Sequence, residues 1–217
     1  MHDPDNHLIA ALPPKARRRL LAACELVTLS AGETLCRQGQ PMSHAYFPRS
    51  GFVVLTVVAP AREPIQVGMI GREGMLGVHL LWGLVLPPWQ AQVQQGGLAW
   101  RMGARALRQA CLGNGPLLQG LAGYQCGLLG QLAADLGGLP FWSLEARLAR
   151  WLTMADAHSD HAPLQITQER LAHWLGVRRV GVTVAEGGLA RRGLIACQRG
   201  QITVLDPQAL RAVAGMA

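Results

Sequence analysis

Forty residues, Ile166 to Leu205, constrain the chain more than any other stretch: ITQERLAHWLGVRRVGVTVAEGGLARRGLIACQRGQITVL. Thr167 is placed to cap a helix, its hydroxyl accepting from backbone N–H groups that a first turn leaves unpaired. Leu171, Ala172 and Leu175 share one face of that short helix, which Gly176 ends. After Val177 a second helix is expected, with Val182, Ala185 and Leu189 spaced for burial. Arg178, Arg179 and Thr183 are then left pointing outward near its start. Arginines at a helix N-terminus oppose the macrodipole at a cost of about a few tenths of a kcal/mol each. A polyanion lying there reverses the sign, because helix N-termini and arginines both bind phosphate and guanine edges. Beyond Gly193, Leu194–Cys197 and Ile202–Leu205 flank the turn Gln198-Arg199-Gly200-Gln201 as a hairpin. Helix, turn, helix and hairpin read as a winged helix-turn-helix whose second helix is shaped for a major groove of double-stranded DNA. The candidate DNA-contacting residues are Thr167, Gln168, Arg178, Arg179, Val180, Thr183 and Arg199.

An αα-corner with a solvated basic face has the same local spacing. Charge separates the two readings. From Ile166 onward, arginines 170, 178, 179, 191, 192, 199 and 211 stand against only Glu169, Glu186 and Asp206, which fits a phosphate-facing surface. The whole chain carries a formal charge of +7 over 217 residues. Its only lysine is Lys15, so arginine usage follows a compositional bias and placement is what carries information. The basic run Lys15–Arg19 reads as a solvated helix face. Five scattered cysteines (24, 36, 111, 126, 197) lack C-x-x-C spacing and point to neither a disulfide framework nor a metal centre. The N-terminal residues lack the order of a signal peptide, and the apolar run Met75–Leu86 is too short to span a bilayer. A reduced, cytoplasmic protein without membrane attachment is expected. No G-x-S-x-G, Walker loop or H-E-x-x-H occurs, so an enzyme is not.

The fold class is α+β. Short helices broken at Pro13-Pro14 precede seven candidate strands: Glu25–Leu29, Thr34–Cys36, Ala45–Phe47, Phe52–Val58, Ile65–Ile70, Ala91–Gln94 and Leu98–Met102. Glycine turns between them indicate an antiparallel β-roll. Ala104 to Gly138 reads as helical, broken near Gly113-Asn-Gly-Pro116. Gly120, Gly123, Gly127, Gly130 and Ala134 repeat at three- and four-residue spacing beyond the break, a seam at which a second helix can pack. Burial of that face against the roll is the alternative. Ser143 caps a further helix from Leu144. Asp156, His158, Asp160 and His161 form a polar connection rather than a metal site, and Asp206-Pro207 starts a last helix. The domains are 1–112, a sensor roll; 113–140, a dimerisation helix and hinge; and 141–217, the winged module.

This succession resembles the Crp/Fnr family of bacterial transcription regulators over nearly the whole chain. The resemblance is carried by HAYFPRSG (44–51), VGMIGREGMLG (67–77), SLEARLARWL (143–152), ITQERLAHWLGVRRVGVTVA and GLIACQRGQITVLD. It implies a homodimer through the long helix, a near-palindromic DNA site, an effector in the roll and RNA polymerase as partner. Arg179 matches the family arginine that reads a guanine, and Arg178 fits a phosphate or base contact. The family's glutamate position is Val180 and a second arginine position is Val184, so the half-site differs from the best-known one, with apolar contacts to thymine methyls. Glycines 181, 187 and 188 weaken this helix, which is expected to order fully only on DNA. The effector pocket implied by the resemblance comprises Gly71, Arg72, Glu73, Gly74, Trp89 and Gln90. The family's phosphate-holding arginine is replaced within Pro87-Pro88-Trp89-Gln90-Ala91. A buried phosphate without a countercharge is costly, so cyclic nucleotide is a disfavoured ligand and no cofactor is expected. Two rivals remain: a regulator answering to an anion through Arg72 or Arg101, and a protein–protein adaptor with non-specific DNA affinity.

Overall fold

The structure, a computed structural model, describes residues 6–58 and 63–216. It divides into two compact units, Met1–Val57 with Gly68–Ala133, and Val58–Val67 with Ala134–Ala217.

The first unit begins with two short helices, α1 (His7–Ala10) and α2 (Pro14–Leu21). Asn6 caps α1 by accepting from the Ile9 N–H, and a proline takes the first position of α2, where no N–H is needed. Seven antiparallel strands follow: β1 (Glu25–Leu29), β2 (Thr34–Cys36), β3 (His44–Pro48), β4 (Phe52–Val57), β5 (Ile65–Ile70), β6 (Gln90–Gln95) and β7 (Gly97–Gly103). They form two sheets, ordered β1-β7-β3 and β2-β6-β4-β5. Each expected strand is present, with ends moved by at most one residue. A 3-10 turn over Val78–Trp82, without a signal in the spacing of the sequence, lies in the connection from β5 to β6 within the four-stranded sheet. Phe47, Phe52, Val53, Leu55, Leu76, Leu80 and Met102 close the core. Phe52 through Thr56 are all buried, so β4 reads as a continuous apolar run covered on both faces. Gly51 and Gly97 admit no side chain: a Cβ at either would strike the backbone of the neighbouring strand ends.

α3 (Ala104–Cys111) and α4 (Gly115–Gly138) are separated by the break at Gly113, whose φ of 67° suits only glycine comfortably. α4 buries Leu117, Leu121 and Leu128, and Leu132 lies against Gly68. Its opposite face is bare. Gly123, Gly127 and Gly130 have open space where a Cβ would stand, and Leu129 and Leu136 are 59% and 70% exposed. Gly120 is set apart from that bare stripe, packing against Leu12.

The second unit is built on α5 (Leu144–His158), capped by Ser143, which accepts from the Ala146 N–H. Leu148, Trp151, Leu152 and Ala155 form its buried face. Next come β8 (Leu164–Gln165), α6 (Gln168–Leu175), α7 (Arg179–Arg191), β9 (Ile195–Gln198), β10 (Gln201–Val204) and α8 (Pro207–Val213), the last capped by Asp206. The expected two-stranded wing is three-stranded, ordered β8-β10-β9. β8, at two residues, is too short to carry a periodicity in the sequence. The hairpin turn is Arg199-Gly200, with φ of 44° and 80°. Positive φ at both central residues matches the right-handed twist of the strands.

Candidate nucleic-acid interface and effector loop

α6 begins as its sequence requires. Thr167 Oγ1 accepts from the Arg170 N–H at 3.2 Å, and Gly176, at φ 64°, ends the helix. A further cap comes from α5, where Arg147 Nη2 donates to the Leu175 carbonyl. Trp174 is buried against Trp151, ring centroids 5.8 Å apart, and the Arg170 guanidinium covers its ring. α6 is thereby fixed at both ends and along its inner face.

α7 packs on this frame through Val182, Ala185 and Leu189, all buried. Arg178, Arg179, Val180, Thr183 and Val184 are exposed on the other side. Arg178 occupies the N-cap without a side-chain capping bond, so the first N–H groups of α7 and two guanidinium groups face outward together. Gly181 and Gly188, read from sequence as a weakness, have a packing role. A Cβ at Gly181 would press on Leu144, and one at Gly188 on the Glu145 carboxylate. These glycines let α7 approach the start of α5, and burial offsets their cost of about 1 kcal/mol each in a helix interior.

Gln168 is not a free polar group. Its Nε2 donates to Glu186 Oε2 at 2.6 Å, and its Oε1 accepts from Thr183 Oγ1 at 3.0 Å. Glu186 is buried, and burial raises its carboxyl above the usual range, opposed by the Gln168 bond. This link between α6 and α7 was invisible in sequence, because nothing in the spacing of 168, 183 and 186 marks a shared amide. Arg199 is exposed at the wing tip.

The loop Gly71–Gly77 spends its polar groups locally. Glu73 Oε1 accepts from the Gly71 N–H at 2.9 Å. The Arg72 carbonyl accepts from the His7 N–H at 2.7 Å, and the Gly74 carbonyl from Asn6 Nδ2 at 2.9 Å. Tyr124 of α4 lies on Gly74, where a Cβ would stand 2.5 Å from its ring, and donates its hydroxyl to the Met75 carbonyl at 3.0 Å. Trp89 is half-buried, with its indole N–H buried and unpaired among the described residues. Its ring meets His79 edge-on at 6.5 Å. Both His79 ring nitrogens are likewise buried and unpaired, and burial pushes its pKa down. Gln90 opens β6, paired with Thr56. Arg101, the other candidate anion ligand, bonds Glu25 at 2.7 Å. Within the loop, the Glu73 carboxylate braces the Gly71 backbone.

Asp156 and His161 pair with each other at 2.5 Å, Asp156 being buried in α5. Among the described residues no group of three or more His, Cys, Asp or Glu is placed to hold a metal ion. No described helix is long and apolar enough to cross a membrane.

Residues 26–114 match the model of the cyclic nucleotide-binding domain, and residues 146–213 that of the Crp-like helix-turn-helix domain. No curated protein sequence matches the chain. Among solved structures, a protein from Eubacterium rectale assigned to the Crp/Fnr family of transcriptional regulators superposes with a TM-score of 0.73 at 16% identity, covering 98% of this chain and 100% of that one. A Crp/Fnr family transcriptional regulator from Thermus thermophilus gives 0.70 at 23% identity over 88% and 98% of the two chains. A second Thermus thermophilus regulator, of the CRP family, gives 0.72 at 21% identity over 88% and 97%. At these identities the likeness is one of fold.

Proposed function

The chain belongs to the Crp/Fnr family of transcription regulators, and from that we propose that it binds DNA as a homodimer at a near-palindromic site and recruits or blocks RNA polymerase there. The exposed face of α7 carries this reading. Arg178 and Arg179 stand at a helix N-terminus whose first turn has no side-chain cap, and phosphate or a guanine edge completes both features. The bare face of α4 supports the dimer. Small residues at helical spacing permit close approach of a second backbone, and Leu129 and Leu136 gain burial from it. Two copies joined along α4 carry two recognition helices, which is what a two-fold symmetric site requires.

The roll has a degenerate effector pocket and binds cyclic nucleotide weakly or not at all. Glu73 already accepts from Gly71, and the segment Pro87-Pro88-Trp89-Gln90-Ala91, where the family resemblance implies an arginine, brings no cation. The protein then acts on DNA without added ligand. Selection of random duplexes by the purified protein tests this, with Arg178→Ala/Arg179→Ala as control. Enrichment of a symmetric site, lost in the control, is the expected result. Affinity without sequence preference and with a steep salt slope would instead identify the adaptor. Calorimetry showing micromolar affinity for cyclic AMP or GMP would overturn the degenerate pocket.

A further inference from the structure

We propose that the outward face of α7 reads the 5-methyl group of pyrimidines, so that thymine and 5-methylcytosine are equivalent to this protein at the positions it touches. The inference rests on the DNA-reading role above and names the group which that role discriminates.

Val180 and Val184 lie one helical turn apart and are 73% and 66% exposed, whereas Val182 and Leu189 on the same helix are fully buried. β-branched residues are indifferent helix formers, so two of them in solvent beside two arginines contribute little to the isolated module. Thr183 stands between them, and its hydroxyl is committed. It has one proton, and both acceptors within reach, Gln168 Oε1 at 3.0 Å and the Arg179 carbonyl at 3.2 Å, belong to the protein. The Gln168 amide cannot turn over to release it, because its Nε2 is bonded to buried Glu186. With its proton spent, Thr183 cannot donate to a ligand, and what it offers is its methyl group and an acceptor lone pair on Oγ1.

The centre of the face is therefore dominated by methyl groups, from Val180, Thr183 and Val184, with one hydroxyl oxygen as acceptor and neither a carboxylate to accept from cytosine N4 nor an amide to pair with adenine. In the major groove the one apolar group that a base pair presents is the C5-methyl of thymine, and methylation of cytosine places the same group at the same position. Arg178 and Arg179 supply the charge that brings this patch to a polyanion. An exposed apolar patch bounded by guanidinium groups suits a methyl-bearing duplex better than a neutral protein surface.

The experiment starts from the selected site and measures binding isotherms for duplexes in which each thymine of a half-site is replaced by deoxyuridine, which removes only the methyl. Parallel duplexes carry cytosine or 5-methylcytosine at those positions. Each contacted methyl is expected to be worth about fourfold in affinity, the value of one buried methyl-sized group. 5-Methylcytosine should regain over cytosine what deoxyuridine loses. Val180→Ala and Val184→Ala should fold with unchanged thermal midpoints, since both side chains are exposed, and should no longer distinguish thymine from deoxyuridine. Equal binding of thymine and deoxyuridine duplexes overturns the proposal and leaves the DNA-reading role standing. Full discrimination retained by both valine variants overturns it too. If selection returns no site, the role and the proposal fall together.

Discussion

Arg178 and Arg179 face solvent on α7 beside Val180 and Val184, while in the roll Glu73 has turned its carboxylate onto the Gly71 N–H and Tyr124 has filled the space over Gly74. Both regions carry motifs of one family, yet the exposed groups of α7 and the internally bonded carboxylate of the loop differ in what they leave for a ligand. A binding surface needs groups whose hydrogen bonds and charge are incomplete in the free protein. A scaffold needs the opposite, because each buried unpaired polar group costs about 1–3 kcal/mol. That criterion supports the proposal that the winged module is the binding site and that the loop Gly71–Gly77 serves as scaffold. His79 and Trp89 are the exception in the roll, buried with unpaired ring nitrogens.

The comparison breaks most readily at the arginines. Arg178→Ala/Arg179→Ala should weaken binding to the selected duplex by about a hundredfold or more, since each base or phosphate contact is worth about 1–3 kcal/mol. The unfolding midpoint should not move; loss of folding in place of affinity would return these residues to the frame. Next in size is a pair of glycine replacements. Gly74→Ala drives a Cβ into the Tyr124 ring and should destabilise the roll by about 1–3 kcal/mol, as overpacking does. Gly188→Ala displaces only the end of the Glu145 side chain, which bridges Arg192 at the surface. The loss of about 0–1 kcal/mol from that pair is offset by helix propensity, so thermal unfolding should show little change.

A smaller effect is in pH. Burial lowers the pKa of His79 from its ordinary 6.5, so the unfolded chain takes up a proton first and this group costs stability as pH falls below about that value. Burial raises Glu186 above its ordinary 4.5, so the folded module takes up a proton first and gains stability as pH falls through that window. Urea unfolding between those two values should show opposite contributions from the two groups. His79→Leu should remove the first and Glu186→Gln the second; a single shared trend in all variants would remove this contrast. Smallest is Arg199→Ala at the wing tip. Affinity should drop a few-fold for all sequences alike, with the salt slope reduced by about one.

Much of this was legible in the sequence. The seven strands of the roll, the break before α4, Thr167 and Ser143 as caps and the burial of Val182, Ala185 and Leu189 follow from alternation, glycine placement and helical spacing. What was not legible shares a physical cause: each case depends on which distant backbone comes close. Gly188 reads as a soft spot until Glu145 is placed beside it. Gln168 reads as a free amide until Thr183 and Glu186 engage both of its ends. Gly120 fits the small-residue repeat but meets Leu12. Tyr124 gave no signal at all, because a lone tyrosine among glycines and leucines does not show which loop it covers.

The bare glycine stripe of α4 has a consequence for how the protein answers to its own abundance. Gly123, Gly127 and Gly130 together cost this helix about 3 kcal/mol relative to alanine, and none of them has a compensating contact among the described residues. In the homodimer proposed above, helical order in that segment is supplied by a second copy through mass action. Where copies are scarce, the paired species that spans a two-fold site grows with the square of the protein's concentration. For such a dimer gene dosage becomes an input in its own right, and a twofold rise in expression produces up to a fourfold rise in occupancy.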